Sequence, residues 1–286
     1  MIAGALVGIA LVFAVVTVLK RGPADAPGTV TPAGASPEDR ERLLRFWETY
    51  RQATAHRIAG RPREAAATYG EALALNPDHQ DALYYLGSTY FDLGDLAAAE
   101  HAWRRLVTVD PSNARGHSQL GLLYSCVDAP AFLQLERAAT EFERALEINR
   151  EESGPLLHLG EIALMQGDLT RARSYFDSVV GSNYTSVEAH VYQAYLAWTA
   201  GIPDRAAALL ATAARHARAT APAPVPGEGD TRTGRAPMVT ASSICRPMRA
   251  RMAVLGRGGD EVAGRGESLY RELDSLLQAS RRTLPR

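Results

Sequence analysis

Seven histidines, two cysteines and two glycine-rich stretches are the residues of this sequence with the widest chemical reach. Their spacing decides how much of that reach is usable. A zinc-peptidase site places two histidines one helical turn apart with a glutamate between them, because that spacing aims both imidazoles at one ion. His56, His79, His101, His117, His158, His190 and His216 occur singly and never in that arrangement. No metal site and no cofactor is expected. Cys126 and Cys245 are far apart and form neither a CxxC pair nor a haem-attachment motif, so a zinc ribbon, a disulfide scaffold and a c-type haem are unsupported. Cys126 reads as a buried apolar cysteine rather than a reactive thiol. The stretches Gly256-Arg257-Gly258-Gly259 and Gly264-Arg265-Gly266 follow no strand, so they read as flexible linker and not as phosphate loops. No catalytic residue is assigned, and the chain is not expected to be an enzyme.

The elements behind these residues are helical. The chain has 286 residues, of which 46% are hydrophobic and only 7% aromatic, and alanine recurs at fixed intervals. That composition favours close-packed helices over strands, and the length suffices for a sizeable core. The expected fold class is all-α. Charge is unevenly spread: residues 22–230 carry 18 arginines against 27 acids, and residues 231–286 carry 11 against 5. A basic tail of this kind reads as a solvated arginine-rich linker and helix; nucleic acid is not an expected partner.

Ile2 to Leu19 are 18 residues without a charge. As a helix they would span roughly 27 Å, close to the ~30 Å of a bilayer core. Lys20 and Arg21 follow the stretch, and the one Ala-x-Ala is followed by Pro27, so residues 1–21 read as a retained membrane anchor that places residues 2–19 in a lipid bilayer. The charge rule favours cytoplasmic repeats; outward-facing repeats are the alternative. Residues 22–36 read as a flexible Pro/Ala/Gly linker. Ser36-Pro37-Glu38-Asp39 then has the make-up of a helix start, with a serine cap, proline at the first position and an acid three residues on.

A period of 34 follows. Asn76-Pro77 and Asp110-Pro111 lie one period apart, each closing two amphipathic halves split by a glycine. The frame gives units at 46–79, 80–113, 114–152 with five extra residues between its two helices, 153–186 and 187–220. Position 20 is alanine in all five: Ala65, Ala99, Ala138, Ala172 and Ala206. Position 24 is large and apolar, as Tyr69, Trp103, Phe142, Phe176 and Leu210, while position 8 is Ala53, Gly87, Gly121, Gly160 and Ala194. Glycine inside a helix costs about 1 kcal/mol against alanine, so three at one phase require a packing reason. Small residues at 8 and 20 let the two helices touch, with the bulky residue at 24 beside them.

This pattern resembles the tetratricopeptide-repeat family from Phe46 to about Thr220. The second unit carries it best, with Leu83, Leu86-Gly87, Tyr90, Gly94, Ala99, Trp103 and Pro111. Arg150 and Tyr184 stand where a closing proline belongs. The resemblance implies a right-handed superhelical solenoid of about five helical hairpins, whose inner face comes from the first helix of each. Carried onto this sequence, that face holds Trp47, Tyr50 and Ile58 of the first unit, Tyr84 and Phe91 of the second and Leu122 of the third. Leu157, Leu164 and Met165 of the fourth follow, then Val191, Tyr195 and Trp198 of the fifth. An apolar, aromatic groove suits an apolar or amphipathic segment of a protein or peptide partner.

After a Pro/Gly-rich linker at 221–237, the basic tail at 238–286 contains one amphipathic stretch, a helix near 268–282 with Leu269, Leu273, Leu276 and Leu277 on one face. It is a candidate to cap the last hairpin or to cover the groove. The sequence thus describes a non-catalytic, membrane-anchored scaffold for protein–protein interaction, with envelope-complex assembly as its setting. The alternative is a self-assembling subunit that builds a homo-oligomer or filament through its anchor and repeat faces.

Overall fold

The structure is a computed structural model that describes residues 36–126, 129, 131–220 and 262–283. The expected membrane span, both linkers and most of the basic tail lie outside these residues, as does the side chain of Leu276. Among the described residues every element is helical, and no helix is long and apolar enough to cross a membrane. The chain divides into two units, Met1–Leu44 and Arg45–Arg286. In the first, the Ser36 hydroxyl accepts a hydrogen bond from the Asp39 backbone amide (3.1 Å) and donates one to the Asp39 carboxylate (2.9 Å), opening a helix with Pro37 in its first turn.

That helix, α1 (Pro37–Ile58), runs on into the second unit. The rest follow as α2 (Pro62–Leu75), α3 (Gln80–Asp92), α4 (Leu96–Val109), α5 (Ala114–Tyr124) and α6 (Leu135–Ile148). Then come α7 (Ser153–Gln166), α8 (Leu169–Ser182), α9 (Val187–Thr199), α10 (Pro203–Thr220) and, after the undescribed stretch, α11 (Val262–Thr283). Consecutive helices from α3 to α10 pair as hairpins, and each second helix of a pair packs on the first helix of the next.

The turns explain why the chain breaks where it does. Gly60, Gly94, Gly167 and Gly201 adopt φ between +69° and +84°, left-handed conformations that any other residue would strain to reach. Helix starts are fixed by side chains that accept an amide otherwise left without a partner: Asp95 for α4, Asn113 for α5, Asp168 for α8 and Ser186 for α9. Between repeats the turn is held by an aspartate or asparagine. Asp110, Asn149 and Asn183 each accept the amide two residues on, at 3.0, 3.3 and 3.3 Å. This is why Arg150 and Tyr184 can stand in for proline: the asparagine before them keeps the turn.

Within a hairpin the packing is tighter than a gap filled from the side. The ring at position 24 lies directly on the bare backbone at position 8. A β-carbon placed on Gly121 would stand 2.8 Å from the Phe142 ring, and β-carbons on Gly87 and Gly160 would overlap Trp103 and Phe176 in the same way. The five alanines at position 20 are at most 2% exposed. The Trp103 indole also donates to the Tyr84 carbonyl at 3.3 Å.

The third hairpin has a longer connection, residues 125–134, between α5 and α6. Leu133 is buried within it, and the Gln134 amide donates to the Tyr124 carbonyl at 2.8 Å, so the insertion is tied back onto its own hairpin. Cys126, at its start, is fully buried and disulfide-bonded, which corrects the expectation of an unmodified apolar cysteine. The chain's other cysteine, Cys245, lies outside the described residues. Gly264 and Gly266 belong to α11 rather than to a linker, so this helix starts before the expected residue 268. The physical reason is again close approach: a β-carbon on Gly266 would meet Leu210 of α10 at 3.0 Å.

Two outcomes test this packing. Gly160→Ala should lower the stability of the full chain by about 1–3 kcal/mol through overpacking. Adding Phe176→Leu, the pairing that the fifth hairpin uses at Ala194 and Leu210, should recover part of the loss in urea melts; strictly additive losses would contradict the contact. His79 supplies the second test. Its Nδ1 accepts the Ala82 amide at 3.2 Å to cap α3, and burial lowers its pKa from 6.5 against the opposing pull of Asp81. A lowered folded value means stability that is present above about 6.5 and lost as pH falls through the folded value. Relative to His79→Asn, which keeps a capping oxygen without titrating there, the native chain should weaken between about pH 7 and pH 5. An unchanged difference in urea midpoint would contradict the assignment.

Candidate protein-docking groove

The side chains that the sequence assigns to one inner face sit on the first helices α1, α3, α5, α7 and α9. The structure separates them into two groups.

The first group belongs to α1, α3 and α5. Phe46, Trp47, Tyr50 and His79 pack ring against ring, with Trp47–Tyr50 and Tyr50–His79 centroids 5.8 and 5.3 Å apart. Phe46 is buried, whereas Trp47, Tyr50, Tyr84 and Leu122 remain partly exposed. Phe91 is buried beside Trp103, and Ile58 is 74% exposed. Charged groups that sequence reasoning did not single out frame these rings. The Arg115 guanidinium lies 4.8 Å from the Tyr84 ring centre and pairs with Asp81 at 2.9 Å. The Arg57 guanidinium lies 4.5 Å from the Tyr85 ring centre. Burial, and then the nearby Asp81 carboxylate, raise the Tyr50 phenol to about 12, so it stays a neutral hydrogen-bonding group over the working pH range.

The second group belongs to α7 and α9, and α11 packs on the end of it that holds Leu164, Met165, Tyr195 and Trp198. Leu157, Leu164, Met165, Val191 and Tyr195 are buried, and Trp198 is partly buried with its ring 5.6 Å from that of Tyr270. From α11, Leu269, Tyr270, Leu273 and Leu277 are all buried, which sets them 0, 1, 4 and 8 residues along one helical stripe. The Tyr195 hydroxyl donates to Asp274 at 3.0 Å, and the Tyr270 hydroxyl donates to the Ala206 carbonyl at 3.2 Å. Arg281 donates to the carbonyls of Met165 (3.2 Å) and Leu164 (2.8 Å), which sit in the last turn of α7. A cation there meets the negative end of the helix, adding a second donor to the Leu164 carbonyl, which already accepts the Gly167 amide. Burial raises the Tyr270 phenol to about 12; burial and then Asp274 push Tyr195 up as well.

Four of the histidines make packing or pairing contacts within the fold. His117 pairs with Glu141 at 2.6 Å, His158 pairs with Glu161 at 2.8 Å and stacks on Phe142, and His190 stacks on His216. Among the described residues no three His, Cys, Asp or Glu side chains are grouped to hold a metal ion. An open depression of about 560 Å³ between α2, α3 and α4 is lined by residues such as Leu73, Leu83, Leu86, Tyr90, His101 and Arg105. It brings together no acid–base pair. What this geometry can do is bind: partly exposed rings with a charged frame at one end, and a cleft that already holds a helix at the other.

Sequence spacing finds the rings and the tail's leucines. It misses Asp274, Arg281 and Tyr270, whose meaning depends on which carbonyl or hydroxyl they reach across more than sixty residues of chain. The visible signal was that Tyr270, Asp274 and Arg281 lie on the stripe that carries Leu273 and Leu277.

No curated protein matches the chain. Solved structures do. The chain is similar to a structure of the MamA protein at 19% identity and a TM-score of 0.53, covering 65% of this chain and all of that one. A MamA fragment from Desulfovibrio magneticus RS-1 aligns at 15% identity and a TM-score of 0.53, over 62% of this chain and 97% of that one. At such identities the likeness concerns the fold alone. The family model for the tetratricopeptide repeat matches residues 50–114, 87–124, 132–185 and 159–224, more than half of the chain. The chain belongs to the tetratricopeptide-repeat family.

Proposed function

We propose that the chain is a non-catalytic scaffold, held at a membrane by residues 2–19, that docks an apolar or amphipathic segment of another protein on its first-helix face. The observation that supports this most is a set of partly exposed rings on the first helices, Trp47 against Tyr50 and Tyr84 against Tyr85, with Arg115 lying over Tyr84 and paired to Asp81. Large rings with few rotatable bonds give much contact area for little ordering cost, and buried aromatics with a charged rim are the usual make-up of an interface anchor. Membership of the repeat family favours protein docking over other uses of such a face.

The repeats lie on the oxidising side of the membrane in this proposal. Cys126 is disulfide-bonded, and such bonds persist in oxidising compartments and are rare in reducing cytosol. This favours the outward-facing alternative over the charge rule. Assembly of an envelope complex fits a tethered docking face on that side.

A photo-crosslinking residue placed at Tyr84 in the native cell should yield an adduct with a discrete second protein. The same residue at Arg173, exposed on α8, should not. Equal adducts from both positions would contradict docking, and a ladder in multiples of this chain's own mass would mark a self-assembling subunit instead. In the same cells, mass-tag alkylation of Cys126 in denaturant should require prior reduction; tagging without reductant would remove the oxidising-side assignment.

A further inference from the structure

We infer that α11 is a reversible occupant of the cleft formed by α7, α9 and α10. The partner that displaces it is an amphipathic helix presenting an aromatic, a leucine, a carboxylate, a leucine and a guanidinium at i, i+3, i+4, i+7 and i+11. The inference rests on the docking reading above and deepens it: it names the segment that closes part of the face and the chemistry of what replaces it.

The five positions are read from α11 itself, as Tyr270, Leu273, Asp274, Leu277 and Arg281, and each has a named counterpart. Tyr270 stacks on Trp198 and donates to the Ala206 carbonyl. Asp274 receives the Tyr195 hydroxyl, and its other oxygen is held by Gln278 at 2.7 Å. Leu273 and Leu277 are at most 2% exposed. Arg281 satisfies two carbonyls at the end of α7 and passes 3.7 Å from where a β-carbon of Gly167 would stand. The cleft is therefore built for a helix with these features: a competitor without the cation leaves the Met165 carbonyl to water and removes one of two donors from Leu164, and one without the carboxylate leaves a buried phenol without its acceptor.

Reversibility follows from what the docking does not touch. The hairpin of α7 and α8 closes on itself through Gly160 and Phe176, a contact that does not pass through the tail. α9 and α10 pair directly with each other, and α11 adds contacts at Leu210 and the Ala206 carbonyl. The outer side of α11 is polar, with Glu267, Arg271 and Gln278 exposed, so the helix remains compatible with water when it leaves. Its release uncovers Tyr195 and Trp198, the two ring-bearing residues at the carboxyl-terminal end of the first-helix face.

The test uses the full chain and a labelled synthetic peptide of residues 262–283, with binding followed by fluorescence anisotropy. The native chain should capture the peptide weakly, because its own tail fills the cleft. The variant Leu273→Asp/Leu277→Asp should capture it at least ~10-fold more tightly, and adding Tyr195→Ala to that background should erase most of the gain. Arg281→Ala, which changes no apolar residue, should give a smaller gain with unchanged helix content, and so keeps the test open if the double variant fails to fold. Equal capture by native chain and variants would overturn the inference. So would a native dimer that dissociates in the variant, since the tail would then seat on a second copy. Failure here with a successful Tyr84 crosslink would leave the docking reading standing with α11 as a permanent cap; the reverse result would leave the cleft and remove the wider face.

Discussion

An aromatic ring resting on bare backbone is the contact on which the structure depends. In three consecutive hairpins a glycine on the first helix receives the ring of Trp103, Phe142 or Phe176 from the second, so near that a single methyl group would collide with it. The contact joins the two helices of a hairpin at one height and consumes the face of each first helix that turns towards its partner. The next repeat packs on the second helix. What remains of each first helix is one stripe, and the proposed docking is placed there.

That stripe is not uniform. Towards the amino-terminal end it carries Trp47, Tyr50 and Tyr84 in partial exposure, with arginines lying over tyrosine rings and ion pairs at the rim. At the carboxyl-terminal end it carries Leu164, Met165 and Tyr195 beneath a helix from the chain's own tail. The two ends solve the same physical problem, apolar surface facing water, by different means. One is a small set of rings with a charged frame, and the other is covered by an amphipathic helix whose Arg281 donates to carbonyls at the end of α7. A tail that supplies both a cap for α10 and a lid over α7 and α9 also removes the exposed outer surface that a terminal repeat would otherwise present.

The repeat phase was legible in the sequence because it is enforced locally. Position 20 must be small and position 8 nearly bare for two helices to touch, and the turn glycines need a backbone conformation that other residues reach only with strain. The tail was legible only as an apolar stripe. Gly264 and Gly266 looked like a linker because no repeat frame extends over them, yet Gly266 follows the same rule as Gly160: a helix lies too near for a side chain. Which end of the face is covered could not be read from spacing, since the pairs that decide it, Tyr195 with Asp274 and Arg281 with the end of α7, join residues 79 and more than 100 positions apart.

Amide hydrogen exchange on the full chain tests the central claim most directly, because it reads both ends of the face at once. If the tail closes the cleft, amides across α11 exchange slowly together with those of α9 and the last turn of α7, and Leu273→Asp/Leu277→Asp releases all three while α3 and α5 keep their protection. An α11 that exchanges at the rate of unfolded chain in the native protein, beside a protected α9, would contradict the account.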